Sequence, residues 1–283
     1  MTGPFVLTLS CADRVGIVHA VSGFLASRGG NIVDSHQFGD PDNREFFMRV
    51  AFEADTPTDV DSLRAEFAPI GDAAAMKWAM YDTRERCRVL IMVSKYDHCL
   101  NDLLYRTRSG ALPIDITSVV SNHPDLEPIV RHHDVPFHHV PVSPQTKDEA
   151  EARLLGIVDA EHVELVVLAR YMQVLSDATS SALAGRAINI HHSFLPGFKG
   201  AKPYHQAHDR GVKLIGATAH YVTSDLDEGP IIEQEVTRVD HSIGVGELIA
   251  VGRDLECQAL SRAVRWHAER RILVNGVRTI VFR

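Results

Sequence analysis

The predicted strands of this chain change character near residue 83, and this change constrains the fold more than any other feature. Before it, apolar and polar residues alternate, as in residues 5–10, which is typical of strands with one buried face. After it, residues 89–93 form a continuous apolar run, as expected for a strand that is covered on both faces. A short polar stretch at residues 82–86 separates the two patterns. The sequence therefore predicts two α/β domains, at residues 1–82 and 83–283.

The first domain is predicted to have the element order βαββαβ. Strands are expected at residues 5–10, 32–38, 46–52 and 76–80, with one helix following Asp13 and a second at residues 59–67. The turn residues Asp-Pro-Asp-Asn at positions 40–43 join the second and third strands as a hairpin. This order predicts a ferredoxin-like fold, in which both helices cover one face of the sheet.

The second domain is predicted to alternate strands with helices. Strands are expected at residues 89–93, 114–120, 137–142, 163–169, 187–191 and 214–223 and from residue 231, and helices at 98–108, 147–158 and 204–210. Such alternation predicts a doubly wound, mostly parallel sheet of the Rossmann-like kind. No GxGxxG or GxxxxGK[ST] motif follows any of these strands, so the sequence does not indicate nicotinamide or ATP chemistry.

Charge and hydropathy exclude several classes of protein. The chain has 29 Lys and Arg against 37 Asp and Glu, a net charge of −8, and it lacks the basic run that phosphate contacts require. No apolar run reaches the roughly 18 residues of a membrane span. Residues 1–4 lack the basic and apolar regions of a secretory signal. We therefore expect a cytoplasmic protein with no nucleic-acid or membrane partner.

Four cysteines and 16 histidines raise the question of a metal site. Cys11, Cys87, Cys99 and Cys257 show no CxxC spacing, which favours free thiols in a reducing compartment. Zinc and iron sites need His, Cys or carboxylate ligands at recognisable spacing, and the chain has no HExxH motif. The sequence therefore predicts no metal and no cofactor.

Polar residues gather where strands of the second domain end. Asn189 and His191 are two apart in a predicted strand, so their side chains project from the same face. A Pro- and Gly-rich loop follows, and doubly wound sheets bind ligands at the carboxyl ends of their strands. Asp227 lies in a tight acidic turn. Each residue alone has an ordinary structural explanation, but together they offer an amide donor, a base and a carboxylate that fixes the charge of the base.

The first domain resembles an ACT domain over residues 5–80. The motif is DRVGIV at residues 13–18, with GGNI at residues 29–32 after the helix. The resemblance implies an amino-acid effector site near Gly16 and Asn31, where a glycine lets a carboxylate approach backbone N–H groups. In the alternative, Gly16 only makes a turn and the domain pairs subunits without a ligand. Because unpaired sheet edges invite pairing, we expect a homo-oligomer, either a dimer or a tetramer.

The second domain resembles the formyl-tetrahydrofolate-dependent formyltransferase superfamily over residues 86–280. The resemblance rests on NIHHSFLP at residues 189–196 and DLDEG at 225–229, supported by LARYMQVLS at 168–176 and GATAHYV at 216–222. An ACT domain ahead of such a domain is similar to the layout of the formyltetrahydrofolate deformylase family.

This resemblance implies roles for individual residues. The catalytic set would be Asn189, His191 and Asp227, with the division of proton transfer between His191 and Asp227 left open. The residues implied to bind the folate are Met172, Gln173, Val174, Leu175, Val222, Asp225, Leu226 and Gly229. Three further residues, His192, Lys199 and His220, are candidate neighbours of the site.

The departures from related transferases indicate which acceptor the formyl group meets. Residues 94–100 lack the glycine-rich phosphate loop of the glycinamide ribonucleotide transformylases, and His192 stands where those enzymes usually have proline. Water is then the acceptor, and we expect hydrolysis to tetrahydrofolate and formate. That reaction would supply formate for purine biosynthesis and balance the one-carbon folate pool. The alternatives are a formyltransferase that uses an unidentified amine and a non-catalytic, amino-acid-sensing folate-binding protein.

Overall fold

The computed structural model describes residues 3–54, 59–195 and 203–283, which fall into two compact units. The first unit comprises the described residues up to Arg86 together with Glu269–Asn275 and Ile280–Arg283. The second comprises the described residues of Cys87–Ala268 together with Gly276–Thr279. The predicted boundary after residue 82 stays a prediction, and the structure adds that C-terminal residues return to the first unit.

The first unit is an antiparallel sheet with two helices. Its elements are β1 (Gly3–Ala12), α1 (Ile17–Ser27), β2 (Gly30–Asp40), β3 (Glu45–Ala54), α2 (Val60–Ala73) and β4 (Lys77–Asp82). The strand order is β2-β3-β1-β4. Alternate residues of β1, namely Phe5, Leu7 and Leu9, are buried in one core with Val21 of α1 and Phe67 of α2. The period-two pattern of the sequence therefore encodes this face, and the predicted ferredoxin-like order is confirmed.

The second unit is built on a seven-stranded sheet. Its strands are β5 (Cys87–Val93), β6 (Ile114–Ser121), β7 (Phe137–His139), β8 (Leu165–Leu168), β9 (Ala187–His191), β10 (Leu214–Tyr221) and β11 (Ile231–Arg238). Its helices are α3 (His98–Arg108), α4 (Glu127–His132), α5 (Lys147–Ala160), α6 (Asp177–Ala182), α7 (Pro203–Asp209) and α8 (Val245–Ala268).

The strand order of this sheet is β11-β10-β9-β8-β5-β6-β7. Strands β5 to β9 run parallel, while β10 is antiparallel to both β9 and β11. Every residue of β8 is buried, as the continuous apolar run predicts for a central parallel strand. The predicted fold class, an ACT domain followed by a doubly wound, mostly parallel sheet, is confirmed.

A C-terminal hairpin of β12 (Ile272–Asn275) and β13 (Arg278–Val281) ends the chain. Asn275 Nδ2 donates to Asp40 Oδ2 at 2.6 Å, and Arg49 Nη2 donates to the carbonyl oxygen of Glu269 at 3.1 Å. These hydrogen bonds hold residues from the end of the sequence within the first unit. All four cysteines are free thiols, as predicted. Within the described ranges, no helix is long and apolar enough to cross a membrane.

Candidate active site

Strand β9 carries Asn189 and His191 into one pocket. Side chains two apart on a strand point to the same face, and both residues line a cavity of about 230 Å³ in the second unit. His191 is the last residue of β9 and is only 5% exposed. The structure thus brings the two residues together at a strand end, as their spacing predicts.

Strand β10 places His220 directly opposite Asn189. The two residues are register partners across the antiparallel pair, and Asn189 Nδ2 lies 3.3 Å from His220 Nε2. His220 Nδ1 lies 2.9 Å from the carbonyl oxygen of Tyr221. Because a carbonyl oxygen can only accept, Nδ1 donates to it, which leaves Nε2 as the ring nitrogen that faces the amide of Asn189. His220 therefore orients the amide of Asn189, whose second N–H can be donated to a ligand.

Asp227 enters the site from the turn between β10 and β11. Its backbone has a φ of 58°, in the left-handed region that Asp tolerates better than most residues. Its Oδ2 lies 3.3 Å from His191 Nδ1, and its Oδ1 lies 3.7 Å from His220 Nε2. The turn therefore brings together Asn189, His191 and Asp227, the three residues that the sequence marks as catalytic, with His220 beside them.

The electrostatics of the site keep Asp227 ionised. Burial alone would raise the pKa of this carboxyl group, but its hydrogen bond to the His191 ring outweighs burial and holds the pKa well below its ordinary value. Asp227 is therefore a carboxylate at neutral pH and accepts from His191 Nδ1. With Nδ1 holding a proton, the lone pair of a neutral His191 lies on Nε2.

The Nε2 atom of His191 is buried and lacks a hydrogen-bond partner among the described residues. Buried nitrogens are almost always paired, so an unpaired one needs an explanation. A base whose accepting atom faces a pocket provides one, because the partner would be the substrate or a water molecule.

Two segments, residues 172–175 and residues 222–226, form the walls of the pocket. The predicted folate-binding residues Met172, Gln173, Val174, Leu175, Val222, Asp225 and Leu226 all line it. Met172, Val174 and Leu226 are exposed apolar side chains. Ser94 Oγ accepts from the backbone N–H of Met172 at 3.0 Å, which ties the first segment to the end of β5. Exposed apolar walls around a few polar groups suit a flat heterocycle.

Gly229 lies beside the backbone of β10 and is not among the residues that line the pocket. A Cβ atom at this position would lie 1.7 Å from the carbonyl oxygen of Tyr221, so only glycine fits. The predicted folate contact at Gly229 therefore has a different structural reading: the glycine allows the turn that carries Asp227 to close against β10.

His192 lines the pocket next to the predicted base. Its ring is stacked on that of His191, with centroids 5.0 Å apart. Burial, followed by the positive charge of Arg170, lowers the pKa of His192 to about 4. His192 is therefore uncharged at neutral pH. Lys199, the other predicted neighbour from this loop, lies outside the described residues.

A buried network of polar side chains adjoins the pocket, and none of its residues is among those that the sequence predicts for the site. Glu256 of α8 is 1% exposed, and its Oε1 accepts from Tyr204 at 2.9 Å while its Oε2 lies 2.7 Å from His98 Nε2. Arg170 Nε lies 3.5 Å from the same Oε2, and Arg170 also lines the pocket. One signal in the sequence points to this network: Glu256 lies among apolar residues of α8, and glutamate is rarely buried unless it is paired.

His98, Cys99 and Glu256 bring their ligand atoms within 4.8 Å of one another, in a search limited to the described residues. The chemistry of this set does not favour a cation. The Cys257 side chain and burial raise the pKa of the Cys99 thiol, and metals bind the thiolate. Glu256 is already neutralised by Arg170 and hydrogen-bonded by Tyr204. The absence of a metal stays a prediction.

The predicted effector residues lie in the first unit. Gly16 is the N-cap of α1 with a φ of 100°, a conformation that favours glycine. Asn31 is exposed on β2 and is the register partner of Glu53 on β3. The effector site at these two residues also stays a prediction.

Together, the doubly wound sheet and the Asn–His–Asp pocket at its strand ends define a formyl transferase type of domain, joined to an ACT domain. The family model described as Formyl transferase matches residues 87–264, and the model described as ACT domain matches residues 5–68.

Full-length relatives narrow this class. A formyltetrahydrofolate deformylase of Corynebacterium sp. (strain P-1) is 55% identical over 98% of this chain and 98% of the relative. A crystal structure of formyltetrahydrofolate deformylase from Burkholderia mallei has a TM-score of 0.96 and 56% identity, over 99% of this chain and 100% of that one. A glycinamide ribonucleotide transformylase from Symbiobacterium toebii has a TM-score of 0.65 and 31% identity, over 70% of this chain and 95% of that one. The chain belongs to the formyltetrahydrofolate deformylase family.

Proposed function

We propose that the protein hydrolyses formyl-tetrahydrofolate to tetrahydrofolate and formate. The observation that carries this function is the His191–Asp227 pair. Its Nδ1 and Oδ2 atoms are 3.3 Å apart, and the opposite ring nitrogen of His191 is buried and has no hydrogen-bond partner among the described residues. The full-length similarity to formyltetrahydrofolate deformylases supports the same substrate and reaction.

Asn189 is proposed to bind the formyl oxygen. One N–H of its amide is donated to His220, which fixes the plane of the amide and directs the second N–H into the pocket. As water attacks the formyl carbon, negative charge develops on the formyl oxygen, and a donor that is already in place stabilises it. Removal of one such donor typically costs about 3–4 kcal/mol of barrier.

His191 is proposed to move the proton. Its Nε2 accepts a proton from the attacking water, and the carboxylate of Asp227 stabilises the imidazolium that forms. A C–O bond forms, the bond between the formyl carbon and the folate nitrogen breaks, and His191 returns a proton to that nitrogen. The products are tetrahydrofolate and formate, with the second proton of water released to solvent.

The loop after β5 supports water as the acceptor. Tyr96 lies in this loop and His98 begins α3 directly after it, and the carboxylate of Glu256 lies 2.7 Å from His98 Nε2. The resemblance places the phosphate loop of transformylases at this point of the chain. A buried carboxylate disfavours a phosphate there, since like charges repel strongly where water is excluded. No resident cofactor is needed for this chemistry, and we propose that none is used.

The decisive experiment is release of formate from formyl-tetrahydrofolate by the purified protein alone. A hydrolase releases formate without an added amine. If no formate is released without an amine, but the formyl group is transferred when an amine is supplied, the protein is the alternative transferase. Folate binding with neither reaction would establish the non-catalytic sensor.

The remaining proposals concern context. An amino-acid effector is proposed near Gly16 and Asn31, and repeating the formate assay with individual amino acids tests it.

A homo-oligomer is proposed because β2 is an edge strand with Ile32, Val33 and Phe38 exposed, and sedimentation distinguishes dimer from tetramer. A cytoplasmic location, and a role in supplying formate for purine biosynthesis and balancing the one-carbon folate pool, complete the proposal.

A further inference from the structure

Three buried side-chain nitrogens lack a hydrogen-bond partner in the part of the chain that the structure describes. One is His191 Nε2, which the proposed reaction uses. The other two are Nε and Nη1 of Arg170, which the reaction as written does not use. All three belong to residues that line the same pocket. A buried donor without a partner costs about 1–3 kcal/mol, and more when it is charged, so Arg170 needs an acceptor that the described residues do not supply.

Arg170 is held in place by its surroundings. It follows β8 and adopts a φ of 65°, a left-handed conformation that costs about 1–2 kcal/mol for a residue with a side chain. Its guanidinium carbon lies 5.2 Å from the centre of the Tyr96 ring. Its side chain is 11% exposed, so solvent reaches it poorly. The cation is therefore fixed and largely desolvated before any ligand arrives.

Glu256, the buried carboxylate next to Arg170, leaves hydrogen-bond donors of the guanidinium unused. Glu256 Oε2 lies 3.5 Å from Arg170 Nε, without hydrogen-bond geometry, and its two oxygens already interact with Tyr204 and His98. Glu256 thus balances the charge of Arg170. A guanidinium presents five N–H donors in a fork that matches a carboxylate, so donors remain for a second anion.

We propose that Arg170 binds the carboxylate of the formate product. This inference rests on the proposed function, because hydrolysis converts a neutral formyl group into an anion inside this pocket. The neighbouring His192 is uncharged at neutral pH, since burial and the charge of Arg170 lower its pKa to about 4. Among the described residues that line the pocket, Arg170 is then the cation that meets the product, and its N–H groups can form charge-assisted hydrogen bonds to both formate oxygens.

Binding of ¹³C-labelled formate, measured by NMR titration in the presence of tetrahydrofolate, tests the proposal at equilibrium and without turnover. The wild-type protein should bind formate saturably. Arg170→Met should weaken binding at least tenfold, and Arg170→Lys, which keeps the charge but loses the fork, should be intermediate. Arg253→Met is the matched control, because Arg253 contacts the same Tyr96 ring at 6.0 Å but does not line the pocket. It should bind formate as the wild type does.

A purely structural role for Arg170 makes a different prediction. If Arg170 served only to neutralise Glu256, the double variant Arg170→Met, Glu256→Gln would recover formate binding, whereas the proposal keeps binding weak in that variant. Recovery, or unchanged binding in Arg170→Met, overturns the proposal. Should Arg170→Met fail to fold, absence of saturable formate binding to the wild type overturns it as well. If the wild-type protein hydrolyses the substrate but does not bind formate, only this inference is refuted. If it binds formate but does not hydrolyse the substrate, only the proposed function is refuted.

Discussion

Two buried polar clusters in the second unit differ in whether their hydrogen bonds are complete. In the first, Glu151 of α5 accepts from the backbone N–H of Ser176 at 2.9 Å, from Thr179 Oγ1 at 2.6 Å and from the Ser176 hydroxyl. In the second, His191 and Arg170 keep three buried nitrogens without partners among the described residues. Both clusters contain buried polar groups, so burial alone does not separate them.

This difference indicates that the Glu151 cluster stabilises the fold, whereas a ligand completes the hydrogen bonds of the cluster with His191 and Arg170. Glu151 fixes the start of α6, since Ser176 is its N-cap and also accepts from the backbone N–H of Thr179. A complete cluster of this kind stabilises the folded state. An incomplete one costs free energy in the empty protein and recovers it when a ligand supplies the missing partners. Substitutions can test this division from both sides.

The largest effect is expected for His191→Ala. Loss of the base should lower turnover by about 10²–10⁴-fold, while far-UV circular dichroism and the urea dependence of unfolding show a folded protein. The measurement is formate release under saturating substrate. His241→Ala, which removes an exposed histidine, is the control and should keep normal turnover. Near-normal turnover in His191→Ala would mean that the unpartnered nitrogen is not catalytic.

Asp227→Asn should have the next largest effect. The amide keeps the shape of the side chain and can still accept from His191 Nδ1, but it no longer carries the charge that stabilises the imidazolium. We expect turnover to fall by about 10²–10³-fold, with a smaller change in KM. Steady-state kinetics separate the two parameters. A change confined to KM would assign Asp227 to substrate binding instead.

Glu151→Ala should reverse the pattern, with a loss of stability and little loss of chemistry. Three donors lose their buried acceptor, and allowing for water that replaces part of it, the free energy of unfolding should fall by about 3 kcal/mol. Urea denaturation measures this fall, and Glu149→Ala, an exposed neighbour on α5, should change it by less than about 0.5 kcal/mol. A hundredfold drop in turnover at unchanged stability would abolish the distinction between the two clusters.

Sequence patterns predicted the parts of the molecule that depend on local periodicity. Period-two alternation predicts β1 and β3, and the apolar run at residues 89–93 predicts β5, because burial on one or two faces leaves a direct mark on a strand. The spacing of Asn189 and His191 on β9 likewise predicts a shared pocket. Each of these features depends on residues that lie only a few positions apart in the sequence.

The rest depends on contacts between distant parts of the chain. Glu256 forms an ion pair with Arg170, which lies 86 residues away in the sequence. Glu256 belongs to α8, a helix that no local motif predicts. The hairpin residue Asn275 hydrogen-bonds to Asp40 across 235 residues. The pairing of His220 with Asn189 follows from the antiparallel direction of β10, which periodicity does not specify. Strand and helix patterns predict which face is buried, but not which buried polar group meets which.

The smallest effect concerns His192, whose ring stacks on the predicted base and whose pKa is lowered to about 4. Above about pH 6.5 the ring is neutral in the folded and unfolded chains. Below that the unfolded chain takes up the proton first, so stability is lost as the pH falls towards 4. Between pH 7 and pH 5 this loss should be about 2 kcal/mol. His192→Gln should remove that part of the acid destabilisation, while His241→Gln should not, as measured by urea unfolding at both pH values. Equal pH dependence in wild type and His192→Gln would show that the charge of Arg170 and burial do not hold His192 neutral.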